Sequence, residues 1–348
     1  MAWDSGGRVR RATMRDVAEQ AGVSLQTVSN FVNGRFDQMG EQTRERVAST
    51  MASLQYRTNV AAASLRSQRS RTLSVLVLDE QSAFLADPST HLLIAGVSDV
   101  AKEHSYGLLI ELGQGDVGPD DFLESITRGS ADGAVIQLYG AKSLRNRYLA
   151  RAQEAGAPIV IVDEIGLPEE AMGVRATQES AAFDLTSLLI DEGRTRIAFI
   201  GDAIAWAGNE QRLAGYRSAL RRRGLTVDKS LIRLDAHGDA AEGERLARDV
   251  LTSNDPPSAI MCSSDLLAAG AVKAARALRL RVPRDVAITG FDDSPFASLV
   301  EPALTTVSIP AYEMGRRAAT MLISAVQGEP VDERHVALTA NIVRRKSA

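Results

Sequence analysis

From Leu73 onward, short apolar runs rich in β-branched residues recur along the chain, and they constrain its fold more than any other feature. They read "TLSVLVLD" (72–79), "YGLLIEL" (106–112), "DGAVIQL" (132–138), "PIVIVDE" (158–164), "RIAFIGD" (196–202), "SAIMCSSD" (258–265) and "DVAITGFDD" (285–293). Several are apolar at successive positions, not alternate ones, which marks strands covered on both faces. Amphipathic stretches such as "LLIAGVSDVAKEHS" and "QRLAGYRSALRRRG" separate them. Strand and helix in alternation predict parallel sheets with helices on both sides. Seven or more strands exceed what one ordinary lobe holds, so two lobes are expected.

The first part of the chain follows a different period. Thr13 and Asp16 form a capping pattern, and Val17, Ala18 and Ala21 give the helix behind it one apolar face. Gly22 breaks that helix, Ser24 can cap a second one running to about Val32, and Asn33-Gly34 supplies its stop. Two short helices separated by "AGV" read as a helix-turn-helix, whose second helix fits a major groove about 12 Å wide. "TRERVASTMASLQY" adds a third helix through Val47, Met51 and Leu54. On the second helix Leu25, Gln26, Ser29 and Asn30 lie opposite Val28, Phe31 and Val32. Gln and Asn can pair with adenine edges and Leu can pack on a thymine methyl. A plain solvated face of a protein-interaction domain fits these residues as well.

Charge separates those two readings better than helix pattern does. Residues 1–71 hold 11 arginines, no lysine and 6 acids, a net +5; the rest holds 29 basic and 38 acidic residues, a net −9. A basic head before an acidic body suits a protein that touches phosphates with its head alone. Between them, Asn59 to Arg66 is alanine-rich and too short to be a stable helix by itself, and it leads into an arginine-rich linker.

Chemical signatures are weak. "GQGDVG", Gly113 to Gly118, satisfies G-x-G-x-x-G, but Asp116 would sit near a pyrophosphate and two acids follow Pro119. A glycine-rich loop before a helix starting near Pro119 explains it better. His91, His104, His237 and His335 are scattered, and no G-x-S-x-G elbow occurs. The single Cys262 permits no internal disulfide and fits a reducing compartment. No run approaches the roughly 18 apolar residues of a spanning helix, and no secretory leader is evident, so a cytoplasmic location is expected.

Taken together, "TMRDVAEQAGVSLQTVSNFVNG", "TRERV" and "LQYRTNVAAASLR" resemble the bacterial lactose-repressor family of transcription regulators, and the likeness continues through most of the chain. The resemblance implies a small all-α helix-turn-helix head and an α/β two-lobed body like periplasmic sugar-binding proteins, with Rossmann-like lobes. It implies Leu25, Gln26 and Asn30 as base readers, and Thr13, Ser24, Thr27, Ser29, Asn33, Thr43, Tyr56 and Asn59 as phosphate-contacting or positioning residues. Asn59 to Arg66 would form a hinge helix that orders on specific DNA, with Leu65 wedged between central base pairs. The pattern departs in places: "NGRFDQMGEQT" is one residue longer than usual, Gly40 stands where a serine commonly caps the third helix, Asn30 where many sugar-operon regulators have arginine, and Thr58 where many have proline.

In the body, "QRLAGYRSAL", "SAIMCSSDLLAAGAVKAARALRLRVPRDVAITGFDD" and "PALTTVSIPAYEMGRRAATML" resemble the family's effector-binding region. The likeness implies Arg212 and Asp292 as effector ligands, with Asp163 and Ser264 at the cleft edge. An arginine fork and a carboxylate suit neighbouring hydroxyls of a sugar. Local turn capping explains Asp163 and Ser264 equally well. Trp206 can stack on an apolar sugar face or pack on its own domain. Asp87-Pro88 matches a family loop, but Ser89 and Thr90 replace the aromatic pair that usually follows, which disfavours a flat effector.

The expectation is a homodimeric regulator, a repressor of carbohydrate genes, bound to a near-palindromic double-stranded operator and controlled by a small sugar-like effector. It performs no catalysis and needs no cofactor or metal. The absence of a heptad tail after "HVALTANIVRRKSA" favours a dimer over a tethered tetramer. The expected boundaries are 1–58 for the head, 59–71 for hinge and linker and 72–348 for the body, with an N-lobe of 72–175 plus 309–326 and a C-lobe of 176–308 plus 327–348. A solute-binding receptor would need a secretory signal and would have no use for the head. A nucleotide-dependent enzyme with an appended head would need a credible cofactor loop.

Overall fold

A computed structural model describes residues 12–32, 34–56, 69–78, 88–113, 122–203, 206–236 and 238–348, and the chain divides into two units, Met1–Ser70 and Arg71–Ala348. The expected hinge helix 59–66, Leu65, Asn33 and most of "GQGDVG" lie outside the described residues.

In the first unit, helices α1 (Met14–Ala21), α2 (Leu25–Val32) and α3 (Glu41–Ser53) surround one small core. Thr13 and Asp16 close a reciprocal capping box: the Asp16 N–H donates to Thr13 Oγ1 at 3.3 Å and the Thr13 N–H to Asp16 Oδ2 at 2.7 Å. Gly22 ends α1 at φ +61°, a left-handed conformation that a side chain would strain. The Thr27 N–H then donates to Ser24 Oγ at 3.1 Å and starts α2. Val17, Ala18, Ala21, Val28 and Val47 are buried together, with Phe31, Met51, Leu54 and Tyr56 half-buried around them. Gly40 precedes α3 and offers no side-chain cap.

The second unit alternates strand and helix as β1 (Thr72–Leu78), α4 (Pro88–Glu103), β2 (Gly107–Gly113), α5 (Glu124–Thr127), β3 (Gly133–Leu138), α6 (Lys142–Glu154), β4 (Ile159–Val162), β5 (Met172–Ala176) and α7 (Gln178–Asp191). It continues through β6 (Ile197–Asp202), α8 (Ala207–Arg222), β7 (Ile232–Ala236), α9 (Ala240–Leu251), β8 (Ala259–Cys262), α10 (Asp265–Ala277) and β9 (Ala287–Thr289). β10 (Thr306–Ser308), α11 (Ala311–Gln327), β11 (His335–Leu338) and β12 (Asn341–Val343) complete it.

Two parallel sheets result, one ordered β11-β5-β4-β3-β1-β2 and the other β7-β6-β8-β9, with β10 and β12 forming a short antiparallel pair. The interior strands β3 and β4 are buried throughout, whereas β2, at an edge, is exposed or half-buried at all but its last position.

One sequence expectation is corrected here. Residues 327–348 do not all belong to the second lobe, because β11 pairs with β5 from His335↔Gly173 to Leu338↔Ala176 and so completes the first sheet. The helix start expected near Pro119 lies outside the described residues.

Strand order reverses at β1, which pairs with both β2 and β3, and at β6, which pairs with both β7 and β8. At such switch points the crossover helices leave on opposite faces, so the strands' C-terminal ends open onto a crevice. Both sheets direct those ends to one cavity.

Candidate functional site

That cavity has a volume of ≈ 290 Å³. Gln137 and Tyr139 reach it from the end of β3, Asp163 from β4, Asp202 from β6, Ser264 from β8 and Asp292 from β9. Its centre is Arg212 on α8, 3% exposed. The guanidinium is held on three sides. Nε donates to Gln178 Oε1 at 2.7 Å, Nη1 to the Ser263 carbonyl, and Nη2 to Asp292 Oδ1 at 2.9 Å. It also lies over the Phe291 ring at 4.1 Å and the Trp206 ring at 5.1 Å from the centroids. So fixed, it presents a donor set whose geometry is set before any ligand arrives.

The acids around it are unusual in backbone and charge. Asp163 and Asp292 adopt φ +56° and +102°, conformations that non-glycine residues rarely hold. Burial pushes both carboxyls above the usual range; Arg212 opposes that rise at each of them, as does the Ala176 N–H donating to Asp163 Oδ1 at 3.0 Å. Asp265, behind the wall, is fully buried and burial pushes it up to about 7, although it accepts from Thr306 Oγ1 at 2.6 Å and from the Ser294 N–H at 2.7 Å. The site thus keeps hydrogen-bonding carboxyl groups close together in a desolvated pocket, which can hold hydroxyls. Cys262 is fully buried with its thiol pushed up by burial.

Six of the seven effector residues read from sequence border this cavity: Arg212, Asp292, Trp206, Asp163, Ser264 and Ser89. Thr90 does not. It is fully buried inside the lobe, because one helical step from Ser89 turns a side chain by about 100° away from the cavity. Ser264 also caps α10, its Oγ accepting from the Leu267 N–H at 3.3 Å. Trp206 is half-buried, with its ring 5.5 Å from that of Tyr139. Sequence reading missed Gln178, Gln137, Tyr139 and Asp202. The last two directly follow or end apolar runs, so the strand-end rule could have found them; nothing local marked Gln178.

On the head, Leu25 is 49% exposed and Gln26 is exposed. Asn30 departs from the outward face expected for it: it is 8% exposed, because the turn at Phe36–Gln38 folds over it. Its Oδ1 accepts from Gln26 Nε2 at 2.9 Å and its Nδ2 donates to Gln38 Oε1 at 2.8 Å. A chain of three amides therefore orients Gln26. Thr13 and Ser24 are exposed at the starts of α1 and α2, Ser24 Oγ lies 2.8 Å from Thr27 Oγ1, and Ser29 and Thr43 are half-buried. Tyr56 packs against the head's core. Asn33, Asn59 and Leu65 lie outside the described residues. No group of three or more potential metal ligands occurs among the described residues, and no described helix is long and apolar enough to cross a membrane.

A helix-turn-helix head joined to a two-lobed body with its cavity at the strand ends defines a ligand-responsive DNA-binding regulator. Comparison with known proteins agrees. Residues 13–59 match bacterial regulatory proteins of the lacI family, and residues 186–348 match the periplasmic binding protein-like domain. The HTH-type transcriptional regulator RegA of Clostridium saccharobutylicum is 31% identical over 96% of this chain and 98% of its own. A transcriptional regulator CelR–cellobiose complex superposes with a TM-score of 0.72 at 29% identity, covering 97% of this chain and 100% of that one. The lac repressor dimer bound to operator and the anti-inducer ONPF gives a TM-score of 0.84 at 24% identity, covering 97% of this chain and 99% of that one, a likeness of fold. The chain belongs to the lacI family of bacterial regulatory proteins: it is a transcription regulator and not an enzyme.

Proposed function

We propose that this regulator is a homodimeric repressor that binds a near-palindromic operator and is switched by a small hydroxylated effector of the sugar class. The observation that carries the effector reading is the Arg212–Asp292 pair at the cavity centre, a guanidinium and a carboxyl that grip adjacent hydroxyls. The cavity's ≈ 290 Å³ lies at the lower end of ordinary ligand pockets, about 300–1,000 Å³, which suits one sugar ring better than a longer saccharide. Trp206 supplies an apolar face for that ring. Leu25 and Gln26 read base edges, Asn30 aims Gln26, and Thr13, Ser24, Thr27, Ser29 and Thr43 position the head on phosphates. Asn33, Tyr56, Asn59 and the Leu65 wedge keep the roles implied by the family likeness.

Dimerisation is supported by Leu92 on α4 and by Ile110 and Leu112 on the edge strand β2, exposed by 46%, 48% and 40%, apolar surface that a second copy would cover. Two heads then face two half-sites, and the protein works in the cytoplasm, where bacterial DNA is. Effector closing the lobes changes operator affinity, and the coupling is reciprocal, typically about 1–3 kcal/mol. The test is selection of binders from random duplex DNA at fixed salt, with the wild type and with Leu25→Ala/Gln26→Ala. A two-fold symmetric site whose half-site preference relaxes in the variant upholds the proposal. No enrichment by either protein, with or without a mixture of sugars, overturns it.

A further inference from the structure

The body has a second cavity, ≈ 730 Å³, that shares no lining residue with the Arg212 cavity. It lies against α7, α8, β5 and β11, on the far side of the chain segments that build the first. Adjacent residues serve the two: Asp163 borders the first and Glu164 the second, and Arg212 borders the first and Gln211 the second.

Its lining has the character of a binding site for an anion. Arg175 on β5 and Arg222 at the end of α8 are exposed, and neither has a carboxylate partner among the described residues; Arg222 lies over the Phe183 ring at 5.8 Å. Glu164 does not neutralise them, because it is committed to Arg145 at 2.8 Å. Glu179 is left as the carboxylate facing the two guanidinium groups, with the hydroxyls of Ser180 and Ser218 nearby. Gln211 adds an independent sign. It is 4% exposed, lines this cavity, and its Nε2 has no hydrogen-bond partner. A buried amide donor without an acceptor is costly, and an oxygen-rich ligand supplies the acceptor.

We propose that this cavity is a second small-molecule site, for an oxyanion of the phosphate-ester or polycarboxylate kind that also carries hydroxyls. Arg175 and Arg222 hold the anionic group, Gln211 donates to an oxygen beneath it, and Glu179 accepts from a hydroxyl. The site is placed to influence the first. Arg145 is 1% exposed and bridges Glu164 at 2.8 Å and Glu210 at 3.0 Å, so it ties the loop after β4 to the turn of α8 that carries Gln211 and Arg212.

Isothermal titration of the full-length protein tests this with glycerol 3-phosphate, tartrate and inorganic phosphate, and with glycerol as the neutral control. The expected result is binding of glycerol 3-phosphate or tartrate, none of glycerol, and at least about tenfold weaker binding to Arg175→Gln/Arg222→Gln. Whether the phosphate ester or the dicarboxylate binds identifies the anion. Both arginines are exposed, so thermal melts check that the variant folds; the Arg175→Lys/Arg222→Lys variant, which keeps the charge, retains part of the affinity. No binding of any anion, or equal affinity in wild type and the glutamine variant, overturns the proposal.

Discussion

Arg212 Nη2 donates to Asp292 Oδ1 at 2.9 Å, joining the middle of α8 to the end of β9 across the cavity, with the two side chains 4% and 13% exposed. The pair orders the site at the expense of desolvating both ions. Replacing Arg212 by Gln leaves Asp292 buried against Asp163 without a counter-charge. Removing one partner of a buried pair costs about 3–5 kcal/mol, and the residual exposure of Asp292 points to the lower end of that range. Urea unfolding should show a lower midpoint at unchanged slope, and effector titration should show no response. A variant as stable as the wild type would mean that packing, not the pair, holds Asp292.

Asp265 gives the fold a pH dependence opposite in sign to that of most surface acids. Burial, with Asp292 adding repulsion, pushes it up to about 7. In an unfolded chain an aspartate titrates near about 3.9, so between about pH 4 and 7 the folded protein keeps a proton that the unfolded chain has lost. Stability should therefore fall, by a few kcal/mol at most, as pH rises from about 4 to 7, and level off above that. The raised carboxyls of Asp163 and Asp292 act in the same direction. Asp285, held down at about 2 by Arg281, acts in a separate window, its contribution being lost only as pH falls below about 4. Melting temperatures measured from pH 5 to 8 should decline in the wild type and decline less in Asp265→Asn. Equal slopes would show that Asp265 is ionised in the folded protein.

With Gln26 reading a base as proposed, the amide chain on the head separates aiming from reading. Gln38 lies outside α2, yet its Oε1 accepts from Asn30 Nδ2, and Asn30 Oδ1 in turn accepts from Gln26 Nε2. Gln38→Ala should loosen Gln26 and reduce discrimination at its base by about 1 kcal/mol, the lower end of what a bidentate base contact is worth. The dependence of affinity on salt should not change, because phosphate contacts are untouched. Competition between operators differing at one base, at two salt concentrations, would reveal it. A uniform loss across all sequences would mean that Gln38 acts on the head's stability instead.

What could be read from the residues divides along physical lines. β3, β4 and β8 sit inside their sheets, so every residue is buried and each run is apolar, with Gln137 near the end of β3 the one polar exception. β5 contains Gly173 and an exposed Arg175, and the edge strand β7 reads "IRLDA", so neither carries that signature. β11 reads as a strand only through its partner β5, some 160 residues earlier by its register, and no local pattern encodes such pairing. The cavity was legible where residues follow strand runs, as at Asp163, Ser264 and Asp292, because sheet topology places ligands there. Gln178, which fixes Arg212 from another helix, was not. Asn30 was misplaced for a related reason: helical spacing says which side a residue faces, not which loop folds over it.

The crossing of α4 and α11 links packing to ligand affinity. A Cβ at Gly315 would lie 2.1 Å from the Leu93 carbonyl oxygen, and one at Gly96 would lie 2.1 Å from that of Tyr312. Backbone atoms cannot rotate away, so an added methyl must push the helices apart. Alanine would raise helix propensity by about 1 kcal/mol at either site. Overpacking a tight contact typically costs about 1–3 kcal/mol, and a clash with backbone on both sides belongs at the upper end, so the net effect of Gly315→Ala should be destabilising. Ser89 and Leu93 on α4 and Ala311 and Met314 on α11 all border the Arg212 cavity proposed to hold the effector, so spreading the helices also reshapes that wall. Gly315→Ala should therefore lose stability and effector affinity together. Thermal denaturation alongside effector titration distinguishes the outcomes: a variant more stable than the wild type would mean that the helices separate without cost, and lost stability with unchanged effector affinity would mean that the wall does not follow the crossing.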